Sequence, residues 1–305
     1  MIKKRQMRFL VTGGAGFIGS NIVDTLLHYP HNVACVDNES ADSNSKFYWN
    51  KKAKNYPIDI NDYDALKWVF KHERPEVVFH TAAEARIQPT INEPQKACLT
   101  NFVGTCNVLQ ACREFGAKRL IYSSTSSAYG LKNTPPLQED MSRDCLNPYS
   151  VSKSAGEDLC KVYYKIYGVE TIILRYFNVY GDREPTKGQY APVIGLFLRQ
   201  KKEGAPMTIV GDGKQTRDFT NIKDVVDANI LAALGESREA FGEVLNIGTG
   251  RSYSILEISQ MIGGEIIYTP ERPGEARDTL ADNSKAKKLI GWEPKVDLKS
   301  YLKKP

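Results

Sequence analysis

Residues 8–19 read Arg8-Phe9-Leu10-Val11-Thr12-Gly13-Gly14-Ala15-Gly16-Phe17-Ile18-Gly19. The apolar run from Arg8 to Thr12 predicts a strand, and it passes without a break into glycines at every third position that open a helix predicted over 17–28. Gly13 permits a tight turn, Gly16 lets the backbone approach a pyrophosphate, and Gly19 lets the helix lie close on the sheet. The unpaired N–H groups and positive dipole end of that helix suit phosphate. The next strand, Val33 to Val36, ends in Asp37, where an acidic side chain meets an adenosine ribose. A carboxylate there accepts from the 2′-hydroxyl and repels a 2′-phosphate, which favours NAD over NADP. Phe17, Ile18 and Asn38 flank these positions and join the expected cofactor contacts.

Outward from this unit, short apolar runs alternate with amphipathic stretches. Strands are expected at Tyr56–Ile58, Val77–Phe79, Leu120–Tyr122 and Thr171–Leu174, and helices at 62–72, 95–115 and 149–167. This alternation predicts an α/β fold with a doubly wound parallel sheet of Rossmann type. Beyond residue 180 glycine and proline become frequent and the strands (Met207–Val210, Val244–Ile247, Glu265–Tyr268) spread apart. That texture predicts a smaller mixed α/β C-terminal lobe over 181–305, interleaved with a cofactor domain over 1–180, and a ligand cleft between them.

Ligands of such sheets bind outside the carboxyl ends of the strands. Asp59 and Ile60 follow the third strand, and His80-Thr81-Ala82-Ala83-Glu84 follows the fourth. Asp59 suits either a ligand contact or a helix N-cap; Ala82 and Ala83 leave room for a flat cofactor. Glu84 and Asn101 are further candidate contacts.

Tyr149 and Lys153 are four residues apart on a predicted helix and share a face. A nearby ammonium and a positively charged nicotinamide both favour the phenolate, which could then take a proton from an alcohol. Tyr48/Lys52 and Tyr63/Lys67 have the same spacing. Tyr149 is singled out by the strand end Ser123-Ser124-Thr125-Ser126-Ser127-Ala128-Tyr129-Gly130, which sets hydroxyls at another carboxyl edge, although such a run also suits a turn.

The 305 residues are 41% hydrophobic and 25% charged, with a formal net charge of +5, which excludes disorder and coiled coil and shows no clustered basic module for nucleic acid. Six cysteines without a CxxC and four histidines without a zinc pattern predict reduced thiols and no metal. No apolar run has the length of a membrane span, and Met1 leads directly toward the first strand, so a cytoplasmic protein is expected.

TGGAGFIGS, the hydroxyl run ending in Tyr129-Gly130, PYSVSK (148–153), LRYFNVYG (174–181) and GDGKQTRDF (211–219) resemble, in order and spacing, the extended short-chain dehydrogenase/reductase family of nucleotide-sugar enzymes. The likeness runs through nearly the whole chain and is greatest to the UDP-glucose and UDP-N-acetylglucosamine 4-epimerases. It implies Thr125 as the catalytic hydroxyl, Tyr149 as base, and Lys153 as its partner and holder of the nicotinamide ribose. Ser123 and Tyr176 would lie near the nicotinamide, and Asn178 at the sugar-nucleotide diphosphate. Gln189, Tyr190 and Ala191 would frame the uridine beside the strand Thr208 to Val210. Arg217 and Arg272 would grip the diphosphate, with Glu84, Ser126 and Glu275 also at the substrate, and Thr279 would be a gate whose small size admits N-acetylated sugars. Two such chains often pair through helices like 95–115 and 149–167, so a homodimer is implied.

Dehydratases of this family carry Asp-Glu directly after the catalytic Thr, and decarboxylases tend to carry Glu at the second of those positions; this chain has Ser126-Ser127. The resemblance therefore implies C4 epimerisation, in which Tyr149 removes the C4 hydroxyl proton, hydride passes to NAD, and the 4-keto sugar turns over before reduction on its other face. NAD, regenerated each cycle, would stay bound. A uronate 4-epimerase or decarboxylase, and outside enzymes a dinucleotide-binding redox sensor, are the competing readings.

Overall fold

A computed structural model describes residues 5–41, 44, 46–186, 191–274 and 276–303. Strands β1 (Arg8–Thr12), β2 (Asn32–Val36), β3 (Lys54–Tyr56), β4 (Val77–His80), β5 (Arg119–Thr125) and β6 (Glu170–Tyr176) alternate with helices α1 (Phe17–Leu27), α2 (Tyr63–Glu73), α3 (Ile87–Asn92), α4 (Pro94–Cys98), α5 (Gly104–Phe115) and α6 (Pro148–Tyr167). The second half carries β7 (Val179–Tyr180), β8 (Met207–Val210), β9 (Thr216–Asp218), β10 (Thr220–Asn221), β11 (Val244–Ile247), β12 (Ser252–Ser254) and β13 (Ile266–Thr269), with α7 (Val193–Lys202), α8 (Ile222–Leu234), α9 (Ile255–Ile262), α10 (Ser284–Ile290) and α11 (Leu298–Leu302).

Seven strands form one parallel sheet in the order β11-β6-β5-β4-β1-β2-β3, which is the doubly wound α/β architecture. Winding reverses where β1 lies between β2 and β4, and ligands of open parallel sheets bind at that point. The register sets Thr12 opposite both Val36 and His80, and Thr125 opposite Tyr176, so the strand ends share one edge. Alternate strand residues fill opposite cores. Phe9, Val11 and Phe79 pack with α1 and α8, whereas Leu10, Val78 and Leu120 pack with α2 and α5.

The second half returns to this sheet. β11 pairs with β6, while β8 with β13, β9 with β12 and β7 with β10 make two-stranded pieces around a core of Phe197, Met207, Ile209 and Ile258. No helix among the described residues is long and apolar enough to cross a membrane.

Three local expectations are corrected. The third strand is Lys54–Tyr56 rather than Tyr56–Ile58, because Pro57 has no N–H to give the ladder. The helix expected over 95–115 starts at Pro94 and is interrupted by a π-helical turn at Leu99–Val103, whose consequence appears below. The 13-residue α8 was not expected at all; Asn221 caps it by accepting from the Lys223 N–H, and most of its residues are buried against the sheet.

Candidate active site

A cavity of about 570 Å³ runs along the carboxyl edge of the sheet from the glycine turn to β8. Gly13 has a φ of 69° and donates its N–H to the Val36 carbonyl at 2.7 Å; a Cβ there would meet the Ala82 backbone at 2.7 Å. At Gly19 a Cβ would fall 2.1 Å from the Gly13 carbonyl. At Gly16 the nearest protein atom to a Cβ is 3.4 Å away, so the protein leaves the space in front of it to a ligand. This is the cradle a pyrophosphate needs.

Phe17, Ile18, Asp37, Asn38, Asp59, Ile60, Ala82, Ala83 and Glu84 all line this cavity. Asp37 accepts from the N–H groups of Ala15 (3.1 Å) and Glu39 (2.8 Å), while burial pushes its carboxyl pKa up. The N-cap of α2 is Asp62, which accepts from the Ala65 N–H at 3.0 Å. Asp59 instead accepts from Asn38 at 2.9 Å and from the Asn61 N–H at 2.8 Å, so the capping alternative for Asp59 falls.

Asn101, Ser123 and Lys153 lie behind the wall. The π-helical turn carries Asn101 into the interior, where its side chain accepts from the Glu84 N–H at 2.8 Å and donates to the Glu84 carbonyl and Ser152 Oγ at 3.0 Å each. Its contact is therefore to the loop that forms the wall. Beneath that loop, Thr105 Oγ1 donates to the Asn101 carbonyl and so accepts from His80 Nε2 at 2.9 Å. This leaves His80 Nδ1 to accept from Thr12 Oγ1 at 2.7 Å. Burial holds this imidazole neutral, its pKa pushed down to about 3.

Tyr149 is the second residue of α6, whose start is fixed by a capping box between Asn147 and Ser150 and by Pro148. Thr125 ends β5 in extended conformation and its Oγ1 accepts from the Ser127 N–H at 3.1 Å. Burial raises the pKa of the Tyr149 phenol, against the opposing pulls of its hydrogen bond with Thr125 and the charge of Arg86. One helical turn on, Lys153 is 2% exposed. Its ammonium lies 4.1 Å from the centre of the Tyr122 ring and has no hydrogen-bond partner among the described residues, and burial pulls its pKa down to about 7. A buried ammonium without acceptors is costly, and ribose hydroxyls would supply them, so these residues fit a nicotinamide nucleotide. By contrast, Lys67 of the other helical Tyr/Lys pair is tied to Asp64 at 2.8 Å on α2.

Ser123 Oγ lies 3.1 Å from the Tyr176 hydroxyl, to which Asn229 donates at 2.8 Å; Tyr176 itself faces the cavity. Ser126, Asn178, Ala191, Thr208, Val210, Arg217, Arg272 and Thr279 line the far half. Arg217 donates to the carbonyls of Thr216 and Arg277 at 2.9 Å each. Gln189, Tyr190 and Glu275 lie outside the described residues.

Arg86 and Gln215 are among the cavity residues that the sequence reading did not name. Arg86 stands just beyond Glu84, and its place after the end of β4 was the available signal. Gln215 donates to the Val210 carbonyl at 2.8 Å while its Oε1 is buried without a partner among the described residues; nothing in GDGKQTRDF distinguishes it from a surface glutamine.

With this sheet and cleft established, the chain belongs to the NAD dependent epimerase/dehydratase family, which it matches over residues 9–248. It is an NAD-dependent enzyme of the isomerase class. A UDP-glucuronate 4-epimerase of Thermodesulfobacterium geofontis is 36% identical over 315 residues, covering 97% of this chain and 94% of the relative. The UDP-glucose 4-epimerase of Thermotoga maritima, solved with UDP-glucose, superposes with a TM-score of 0.91 at 37% identity, covering 97% and 96% of the two chains. The UDP-N-acetylglucosamine 4-epimerase of Methanobrevibacter ruminantium, solved with UDP-N-acetylmuramic acid, gives 0.89 at 32% identity, covering 98% and 96%.

Proposed function

We propose that this enzyme epimerises C4 of a UDP-hexose through a transient 4-keto sugar, interconverting UDP-glucose with UDP-galactose and UDP-GlcNAc with UDP-GalNAc. The observation that carries the reading is the convergence of Thr125, Tyr149 and the small side chain of Thr279 on one cavity.

Bound NAD supplies reversible oxidation at C4. Tyr149 Oη takes the C4 hydroxyl proton as the ketone forms and returns it on reduction. Thr125, hydrogen-bonded to the same phenol, orients that proton. With NAD bound, Lys153 would donate to the nicotinamide ribose, and Asp37 would accept from the adenosine ribose. Arg217 and Arg272 hold the diphosphate, for which a planar fork of donors is suited. Ser126 and Ser127 offer neither the acid nor the base that elimination of water would need. Residues 1–180 act as the cofactor domain and 181–305 as the sugar-nucleotide lobe. The working unit is a homodimer built on the exposed apolar residues of the π-helical turn at Leu99–Val103 and of α6.

One observation favours a second reading. A uronate needs a cation near its C6 carboxylate, and Arg86 lines the same cavity as Tyr149, its charge opposing the burial that raises the phenol's pKa.

Proton NMR of the purified protein, without added NAD, incubated separately with UDP-glucose, UDP-GlcNAc and UDP-glucuronate decides between them. C4 epimers from the first two support the main reading, and turnover of UDP-glucuronate alone supports the second. No epimer from any of them after NAD is supplied defeats both.

A further inference from the structure

We propose that Arg183, with Asp24 and Tyr48, clamps the adenosine-side wall of the cleft to the C-terminal half of the chain and thereby keeps the cofactor in place. The proposal rests on the reading that NAD stays bound through successive cycles, and it names the side chains that retain it.

The wall in question follows β2. Asp37, Asn38, Ser40, Ala41, Asn44 and Phe47 line the cavity there, yet among the described residues from Asp37 to Asn50 none belongs to a helix or strand. Its far end is fastened to the glycine turn by backbone and to α1 by a side chain. The Tyr48 N–H donates to the Ala15 carbonyl at 2.8 Å, and Asn50 Nδ2 donates to Asp24 Oδ1 at 2.7 Å.

The other oxygen of Asp24 is taken from across the cleft. Arg183, in the turn after β7, donates through Nη2 to Asp24 Oδ2, and its guanidinium carbon lies 4.9 Å from the centre of the Tyr48 ring. The preceding carbonyl, of Asp182, accepts from Asn21 Nδ2 at 3.2 Å. Asp24 thus joins the wall on one oxygen and the second half of the chain on the other, with the Tyr48 ring against the guanidinium. Arg183 holds a φ of 71°, a left-handed conformation that non-glycine residues adopt only when their surroundings hold them there. The flat guanidinium suits this place because one group can both pair with a carboxylate and lie on a ring. None of these three side chains lines the cavity, so they act on NAD by holding the wall rather than by touching it.

Release of the adenosine half then requires the wall to move, which breaks the partly buried ion pair and the ring contact together. A charge-assisted contact of this kind corresponds to roughly a tenfold change in rate or affinity.

The test is NAD retention in the full-length enzyme. The wild type is freed of external nucleotide, and NAD remaining with the protein is quantified over time after denaturation. Arg183→Ala is expected to lose NAD about tenfold faster, to need added NAD for turnover, and to reach the wild-type kcat once saturated. Tyr48→Phe, which keeps the ring, is expected to retain NAD like the wild type, and Tyr48→Ala to lose it faster. Unchanged NAD loss in a folded Arg183→Ala overturns the clamp and leaves the epimerase reading standing. Should that variant fail to fold, the same measurement on Tyr48→Ala decides, and wild-type retention there overturns it. A wild type that neither carries nor takes up NAD overturns the clamp and the cofactor site together.

Discussion

Asn178 Nδ2 donates to Thr279 Oγ1 at 3.3 Å and to the Asp218 carbonyl at 3.0 Å, so the turn after β6 fixes the side chain on the opposite wall of the sugar end. Thr279 is 6% exposed and is pinned again by its N–H to the Thr216 carbonyl at 3.1 Å. A side chain this well held sets the width of the pocket. Thr279→Tyr fills the space an acetamido group would use, and it is expected to lower kcat/KM for UDP-GlcNAc by roughly tenfold to a hundredfold, with UDP-glucose within about threefold. Parallel kinetics on the two sugars check this, and equal losses on both sink the gate assignment.

In the proposed mechanism Tyr149 and Thr125 share the proton step but carry different weights. Tyr149→Phe removes the phenol oxygen proposed to accept the proton and is expected to lower kcat by about 10²–10⁴ while NAD content stays at the wild-type level. Thr125→Ala leaves the phenol in place without its hydrogen-bond partner, which raises its pKa further and should shift the alkaline-going limb of the kcat profile to higher pH. Rapid turnover by Tyr149→Phe would remove it as the base.

The cofactor half of the site was legible because its signal is local. Strand, glycine turn, helix and Asp37 lie within 30 residues (8–37), and each has a backbone reason to be where it is. Tyr149 and Lys153 were legible for the same reason, as neighbours one turn apart. Three features were not. Apolar periodicity runs straight through Leu99–Val103, and the π-helical turn there is fixed by what Asn101 bonds on a distant loop. The helix α8 is buried on several sides, so IKDVVDANILAAL lacks the single polar face that marks a surface helix. Arg86 reaches the cavity because β4 ends where it does; that place was its one signal, and it does not tell a cavity-lining arginine from a surface one.

Glu184 provides a pH dependence with a defined sign. Burial pushes its carboxyl up to about 8, against the pull of the Gly181 and Gly195 N–H groups and the Arg86 charge. The native chain therefore holds a proton between the ordinary carboxyl range and pH 8 that the unfolded chain has released, and stability falls as pH rises through that window. Glu184→Gln is neutral throughout. It is expected to match the wild type near pH 5 and to exceed it by about a few degrees in Tm at pH 8. Thermal melts at the two values check this, and a constant difference between them would contradict it.

The proposed dimer would rest on apolar surface that the chain itself leaves open. Leu99 (49% exposed), Val103 (42%), Val162 (42%) and Ile166 (67%) lie on the run from α4 to α5 and on α6, and Tyr163 of α6 donates to Gln110 of α5 at 3.0 Å, which sets the two helices side by side. Apolar side chains gathered on adjacent helices point to burial against another surface, and helices that present the same stripe can bury it against their own copies about a twofold axis. A glutamate within that stripe would have to be desolvated on association. Val103→Glu and Val162→Glu are each expected to weaken association by about a hundredfold or more, while the cavity at the other end of α6 stays filled and active. Sedimentation velocity near micromolar concentration reads the outcome: a wild-type dimer and monomeric variants support the interface. A monomeric wild type, or variants that remain dimeric, places the contact elsewhere or abolishes it.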